Sequence, residues 1–99
     1  MMNEEEFNLE LVELGKRLKQ LRKYRKLRLL DLEMRTGIND SLISRYEKGK
    51  ENISYYTLWK LATALKVSIN DLTDYKGPLP DNTNFEDIPK VKKRSMRKG

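Results

Sequence analysis

The stretch INDSLISRYEKGKEN, residues 38–52, places Asp40, Ser41, Ser44 and Arg45 within six consecutive positions. Three are short hydrogen-bonding groups, and the fourth is a long planar cation with five donors. A surface helix with no task usually carries long Lys and Glu side chains. The chemistry open to this set is close-range hydrogen bonding to a partner, with Arg45 able to present a bidentate fork. Catalysis is not expected. The sequence has no histidine and no cysteine, which removes the commonest general base, the commonest metal ligand and any thiolate zinc site. It also lacks a Gly-rich phosphate loop and paired inward carboxylates, so no enzyme, cofactor or metal is expected.

The bulk composition bounds what can position these groups. Ninety-nine residues suit one small domain, and a hydrophobic fraction of 37% points to a small, helix-built core. No stretch approaches the roughly 18 apolar residues of a membrane span, and the acidic start does not resemble a signal peptide. A cytoplasmic protein is therefore expected. The net charge of +6 favours an anionic partner. Its distribution is uneven: residues 1–13 hold five acids and no basic residue, whereas residues 15–28 hold eight basic residues and no acid. A solvated helix face is the plain explanation of such a run, and a nucleic-acid footprint is the sharper one.

All three prolines lie after residue 76, so residues 1–75 are free to be helical. KGPLPDNTNFEDIP marks the expected boundary with a flexible basic tail, residues 76–99. Helix one is expected to be long. Asn3 caps it ahead of Glu4, Glu5 and Glu6, and Phe7, Leu11, Leu14, Leu18 and Leu21 form one apolar stripe. Gly15 interrupts that helix at a cost near 1 kcal/mol against Ala, which suggests that another backbone passes close by. Helix two runs from about Leu29 to Thr36, with Gly37 as a left-handed C-cap. Asn39 caps helix three, Asp40 to about Lys48, and Gly49 ends it. Ser54 caps a fourth helix whose inner face is Leu58, Leu61, Ala62 and Leu65. Ser68 with Asp71 forms a capping box for a fifth, carrying Ile69 and Leu72.

Only Gly37, Ile38 and Asn39 separate helices two and three, so the pair must cross steeply as a helix-turn-helix at about residues 29–48. In such a motif the second helix enters the major groove of a duplex and its N-terminal residues meet base edges. Asp40, Ser41 and Ser44 would let the backbone come close, Arg45 would pair with guanine O6 and N7, and Asp40 could accept from cytosine N4. Ile38 and Ile43 would anchor the helix from inside. The helix N-terminus is also expected to favour a phosphate.

LGKRLKQLRKYRKL, GINDSLISRYEKGK and LWKLATALKVSINDL, taken together, resemble the Cro and phage-repressor (XRE) family of helix-turn-helix regulators over Leu14 to Leu72. The resemblance implies an all-α, five-helix, compact domain of the lambda-repressor-like DNA-binding type. It implies a transcriptional regulator, expected to be a homodimeric repressor of double-stranded DNA, with Asp40, Ser41, Ser44 and Arg45 on the base-reading face. Arg28, Lys48, Lys50 and Asn52 would lie along the phosphate backbone. Arg22 and Glu47 sit where the family joins helices one and three by a salt bridge, and Gly37 and Asn39 shape the turn. Three positions depart from the family pattern: Leu29 stands where Gln often contacts a phosphate, Glu33 where a small Ala usually abuts helix three, and Ile53 where Pro often precedes helix four. The alternative reading is a protein-interaction module of the same fold, such as an antitoxin, antirepressor or adaptor.

Other features carry weaker expectations. Leu29 and Leu30 either pack on helix one or offer a small apolar patch to a protein partner. Tyr55, Tyr56 and Trp59 are expected as core and rim aromatics, with a dimer or effector contact as the alternative. Leu72, Tyr75 and Leu79 are the expected dimer seam. KVKKRSMRKG, residues 90–99, is either solvated tail or a basic arm along phosphates, and Phe85, Ile88 and Val91 could fold back or swap to a second subunit.

Overall fold

The computed structural model describes residues 3–82, and the described chain forms five helices: α1 Glu4–Tyr24, α2 Leu29–Thr36, α3 Asp40–Glu47, α4 Tyr55–Leu65 and α5 Ile69–Thr73. No strand occurs among the described residues. Helix starts follow local chemistry. The Asn3 side chain accepts the Glu6 N–H at 2.8 Å while the Glu6 carboxylate accepts the Asn3 N–H at 3.0 Å, which satisfies two backbone donors reciprocally. Ser54 caps α4, and Ser68 with Asp71 closes the capping box of α5. Gly37 ends α2 at φ +79°, a conformation that costs a residue with a Cβ about 1–2 kcal/mol. α4 ends on Lys66 at φ +56° without that relief.

The core is the inner stripe of α1 closed by the other four helices. Leu14, Leu18, Leu21, Leu32, Ile43, Leu61, Leu65 and Leu72 are buried in one cluster, with Leu29 and Ile38 packed partly against it. The stripe of α1 is shorter than its periodicity suggests. Phe7 is exposed because the first turns of α1 extend past the other helices, and every described residue before Leu11 is exposed. The α4 aromatics also depart from expectation. Tyr55, Tyr56 and Trp59 are 72%, 65% and 50% exposed, so they form no part of the core. The inner face of α4 begins only at Leu58, and the three rings stand on its outer side. Of the expected dimer seam only Leu72 is fully buried; Tyr75 is half-buried and donates its hydroxyl to Glu10 at 2.9 Å, and Leu79 is exposed.

The basic block of α1 is partly structural. Arg17 is almost wholly buried and donates to the carbonyls of Asp71, Gly77 and Pro78 and to Gln20. Arg25 is buried too, and donates to the carbonyls of Leu65, Lys66 and Asp81 and to Asn82. The Tyr24 hydroxyl donates to Pro80 at 2.7 Å. Carbonyls left over at the ends of α4 and α5 are thus satisfied by guanidinium forks. Residues 77–82 are thus tied to α1 and Arg25 by hydrogen bonds, although most of them stay exposed. The expectations for Phe85, Ile88, Val91 and the basic run 90–99 lie outside the described residues. Among the described residues no helix is long and apolar enough to cross a membrane.

Candidate nucleic-acid interface

α3 is gripped at both ends, and its grips come from different helices. At its start, Gly37–Asn39 turn the chain from α2 into α3. The Asn39 side chain accepts the Ser41 N–H at 2.9 Å and also the Ser41 hydroxyl. The Glu33 carboxylate, reaching across from α2, accepts the Asp40 N–H at 2.8 Å. This explains how the crossing tolerates a glutamate where a small residue was expected: its charge lies at the positive end of the α3 dipole. It also overturns the expectation of a phosphate site there. The first two N–H groups of α3 already have acceptors within the protein, and one acceptor is an anion.

At its other end α3 lies against α1. Gly15 sits under the α3 carbonyls so closely that an added Cβ would fall 2.6 Å from the Glu47 oxygen and clash with that of Tyr46. The close passage expected from this glycine is therefore the backbone of α3. Gly49, at φ +72°, approaches Val12 of α1 in the same way. Beside these contacts Arg22 donates through Nε and Nη2 to the two oxygens of Glu47, at 2.7 and 3.1 Å, and through Nη1 to the Leu27 carbonyl at 2.8 Å. The pair is buried. Such a pair adds little net stability against an apolar replacement, but losing one partner strands a buried charge, so it fixes the position of α3 relative to α1.

The opposite face of α3 is open. Ile43, Tyr46 and Glu47 are buried, Ser41 and Arg45 are exposed, and Asp40 and Ser44 are half-buried between them. The four candidate base-reading residues therefore share the open face. Two of them are engaged within the protein: Ser41 with Asn39, and Arg45 with Glu51, whose Oε2 accepts from Nε at 2.8 Å and lies 2.7 Å from Nη2. Lys48, Lys50 and Asn52 are all exposed in the segment that follows α3. Arg28, at the start of α2, keeps an exposed side chain yet pairs with Asp31 at 3.0 Å. Burial pushes the Asp31 carboxyl up, but hydrogen bonds from the Arg28 guanidinium and backbone N–H outweigh it, so its pKa lies below the usual range. The Arg28 guanidinium is held more firmly charged by the same contact.

Sequence reasoning did not anticipate Asp31, Glu33 or Glu51 as partners. Arg28 and Asp31 stand at the i, i+3 spacing of a helical ion pair, and that signal was readable. Glu33 to Asp40 spans a turn, and Arg45 to Glu51 spans the end of α3, so neither follows a helical period.

A family model for a helix-turn-helix domain matches residues 15–78. Among solved structures, the chain is similar to the restriction-modification controller protein C.AhdI from Aeromonas hydrophila, at 34% identity and a TM-score of 0.63, over 65% of this chain and 97% of that one. It is also similar to an HTH_3 family transcriptional regulator from Vibrio cholerae, at 28% identity and a TM-score of 0.64. There the match covers 70% of this chain and 40% of the Vibrio protein. No curated protein sequence matches. The family match spans more than half of the sequence and includes all of α2 to α5, and the two similar structures carry the same helical domain; the chain belongs to the helix-turn-helix family of Cro and repressor-type regulators.

Proposed function

We propose that this protein is a sequence-specific transcriptional regulator that binds double-stranded DNA as a homodimer and represses by occupying a pseudo-palindromic operator. α3 would lie in the major groove, with Asp40, Ser41, Ser44 and Arg45 facing base edges. Arg28, Lys48, Lys50 and Asn52 would contact phosphates on either side. The carrying observation is the two-sided nature of α3: Ile43, Tyr46 and Glu47 lock one face into the core, while Ser41 and Arg45 stand exposed on the other. The similarity to a controller protein and to a transcriptional regulator supports this reading. One helix of eight residues covers only a few base pairs, so useful specificity needs two half-sites about one helical turn apart. The exposed rings of Tyr55, Tyr56 and Trp59 supply apolar surface of the kind a dimer contact uses.

The test is a pair of substitutions on an operator selected from random sequence. Arg45→Ala is expected to cost about 1–3 kcal/mol on that operator and to relax preference at one base pair. Lys50→Ala is expected to weaken every sequence alike and to lower the salt slope by about one. An Arg45→Ala protein with unchanged affinity and preference would reject the docking mode.

The second reading, a protein-interaction module of the same fold, is favoured by the acids around α3 and by the apolar surface of α2, where Leu30 and Met34 are each 42% exposed. Leu29 is less available to it, because it packs partly on the core. Binding of random DNA that weakens steeply with salt supports the regulator. Absence of DNA binding at low salt supports the interaction module.

A further inference from the structure

Glu51 touches the one long donor on the open face of α3, and its geometry is selective. A guanidinium has two useful edges: the side formed by Nε and Nη2, and the end formed by Nη1 and Nη2. Glu51 Oε2 takes the side edge of Arg45, at 2.8 Å from Nε and 2.7 Å from Nη2. Because the guanidinium is planar, a carboxylate on that edge leaves the Nη1–Nη2 end pointing away from it. That end is an edge with which arginine can meet guanine O6 and N7. The side edge is a common way to grip a phosphate or carboxylate, and here it is occupied.

The two side chains remain open to solvent, 54% exposed for Arg45 and 36% for Glu51. The contact therefore does not serve the core, since exposed ion pairs add little to folding stability. Its effects fall on recognition. It reduces the freedom of a long side chain before binding, and it cancels the charge of Arg45 towards any backbone it meets. Specificity is a difference between two affinities, and the contact acts on both sides of that difference. Non-specific attraction to phosphate is weakened, while the fork that reads a base is held in place.

We infer that Glu51 is a specificity-determining positioning residue: it holds Arg45 by its side edge so that the arginine reads a guanine and does not grip phosphates. The inference rests on the proposed DNA-binding function. It adds an acidic residue, outside the reading helix, whose removal strengthens binding to the wrong DNA.

The test uses the full chain as wild type, Glu51→Gln, Arg45→Ala and the double variant, each measured on the selected operator and on random duplex at matched salt. Wild-type binding to random duplex at low salt reads the functional proposal by itself; its absence would defeat that proposal and this inference together. Given wild-type binding, Glu51→Gln is expected to bind random duplex several-fold more tightly, with a salt slope steeper by about one. The operator-to-random ratio is expected to fall about tenfold, with preference lost at the base pair that Arg45→Ala also relaxes. In the Arg45→Ala background, Glu51→Gln should tighten binding to both duplexes equally and leave the ratio unchanged. A parallel gain on both duplexes in the wild-type background would show that Glu51 only repels DNA, and would overturn the inference. So would an unchanged ratio, or a fall in the ratio that persists without Arg45.

Discussion

Replacing Gly15 with alanine is expected to destabilise this protein, against the usual sign for a helix interior. Alanine at an unconstrained helical site gains about 1 kcal/mol over glycine. At Gly15 the new methyl would lie 2.6 Å from the Glu47 carbonyl oxygen and 2.8 Å from its carbon, where ordinary contact begins near 3.4 Å. The obstacles are backbone atoms of α3, not the tip of a flexible side chain. α3 is also tied to α1 by the Arg22–Glu47 pair and by the approach of Gly49 to Val12. Separating the helices by roughly 0.8 Å would loosen all three contacts together. Overpacking costs about 1–3 kcal/mol, and against backbone atoms that cannot swing aside the upper part of that range, about 2–3 kcal/mol, applies, which leaves a net loss of about 1–2 kcal/mol after the propensity gain. For a domain of this size that lowers the melting temperature by about 5–15 °C. Thermal unfolding followed by circular dichroism is the assay. A melting temperature equal to or above wild type would refute the close approach of α1 and α3. Gly37→Ala separates the two kinds of glycine: nothing lies within 4 Å of its added Cβ, so only the φ of +79° penalises it, and Gly37→Asn should recover part of the loss.

Two further perturbations follow from the charges. Glu47→Ala is expected to cost about 3–5 kcal/mol because it strands buried Arg22, whereas Arg22→Met combined with Glu47→Leu should cost much less; denaturant unfolding of wild type and the two variants measures both, and equal losses would contradict the positioning role. Asp31 has a folded pKa below its unfolded one, so its stabilisation is complete above about pH 4 and is lost as pH falls through the depressed folded value. Melting temperatures of wild type and Asp31→Asn should therefore converge in acid below about pH 4, and a constant gap down to the most acid point would contradict the assignment.

The sequence was informative wherever structure is decided locally. Asn3, Ser54, Ser68 and Gly37 act on backbone groups within a few residues of themselves, so their roles could be read from spacing alone. Gly15 was legible for a related reason, because a glycine in a strong helical pattern demands a neighbour. Periodicity identifies a face but not what covers it. Phe7 lies on the apolar stripe of α1 yet beyond the reach of the other helices, and Tyr55, Tyr56 and Trp59 stand on the outer side of α4. Arg17 and Arg25 looked like part of a solvated or nucleic-acid-facing run. Their burial depends on carbonyls at 65–66, 71, 77–78 and 81, far along the chain. The same limit hid Glu33 and Glu51, which meet their partners only after the turn between α2 and α3 and the exit from α3 have formed.

The central claim is that α3, held from behind by α1 and α2, presents its open face to a duplex. Sequencing the fragments that the full chain retains from a pool of random duplex DNA tests it most directly. An enriched two-fold motif is expected, with half-sites about one helical turn apart and a guanine in each half whose preference disappears with Arg45→Ala. Retention without any enriched motif, or a motif indifferent to Arg45, would contradict it.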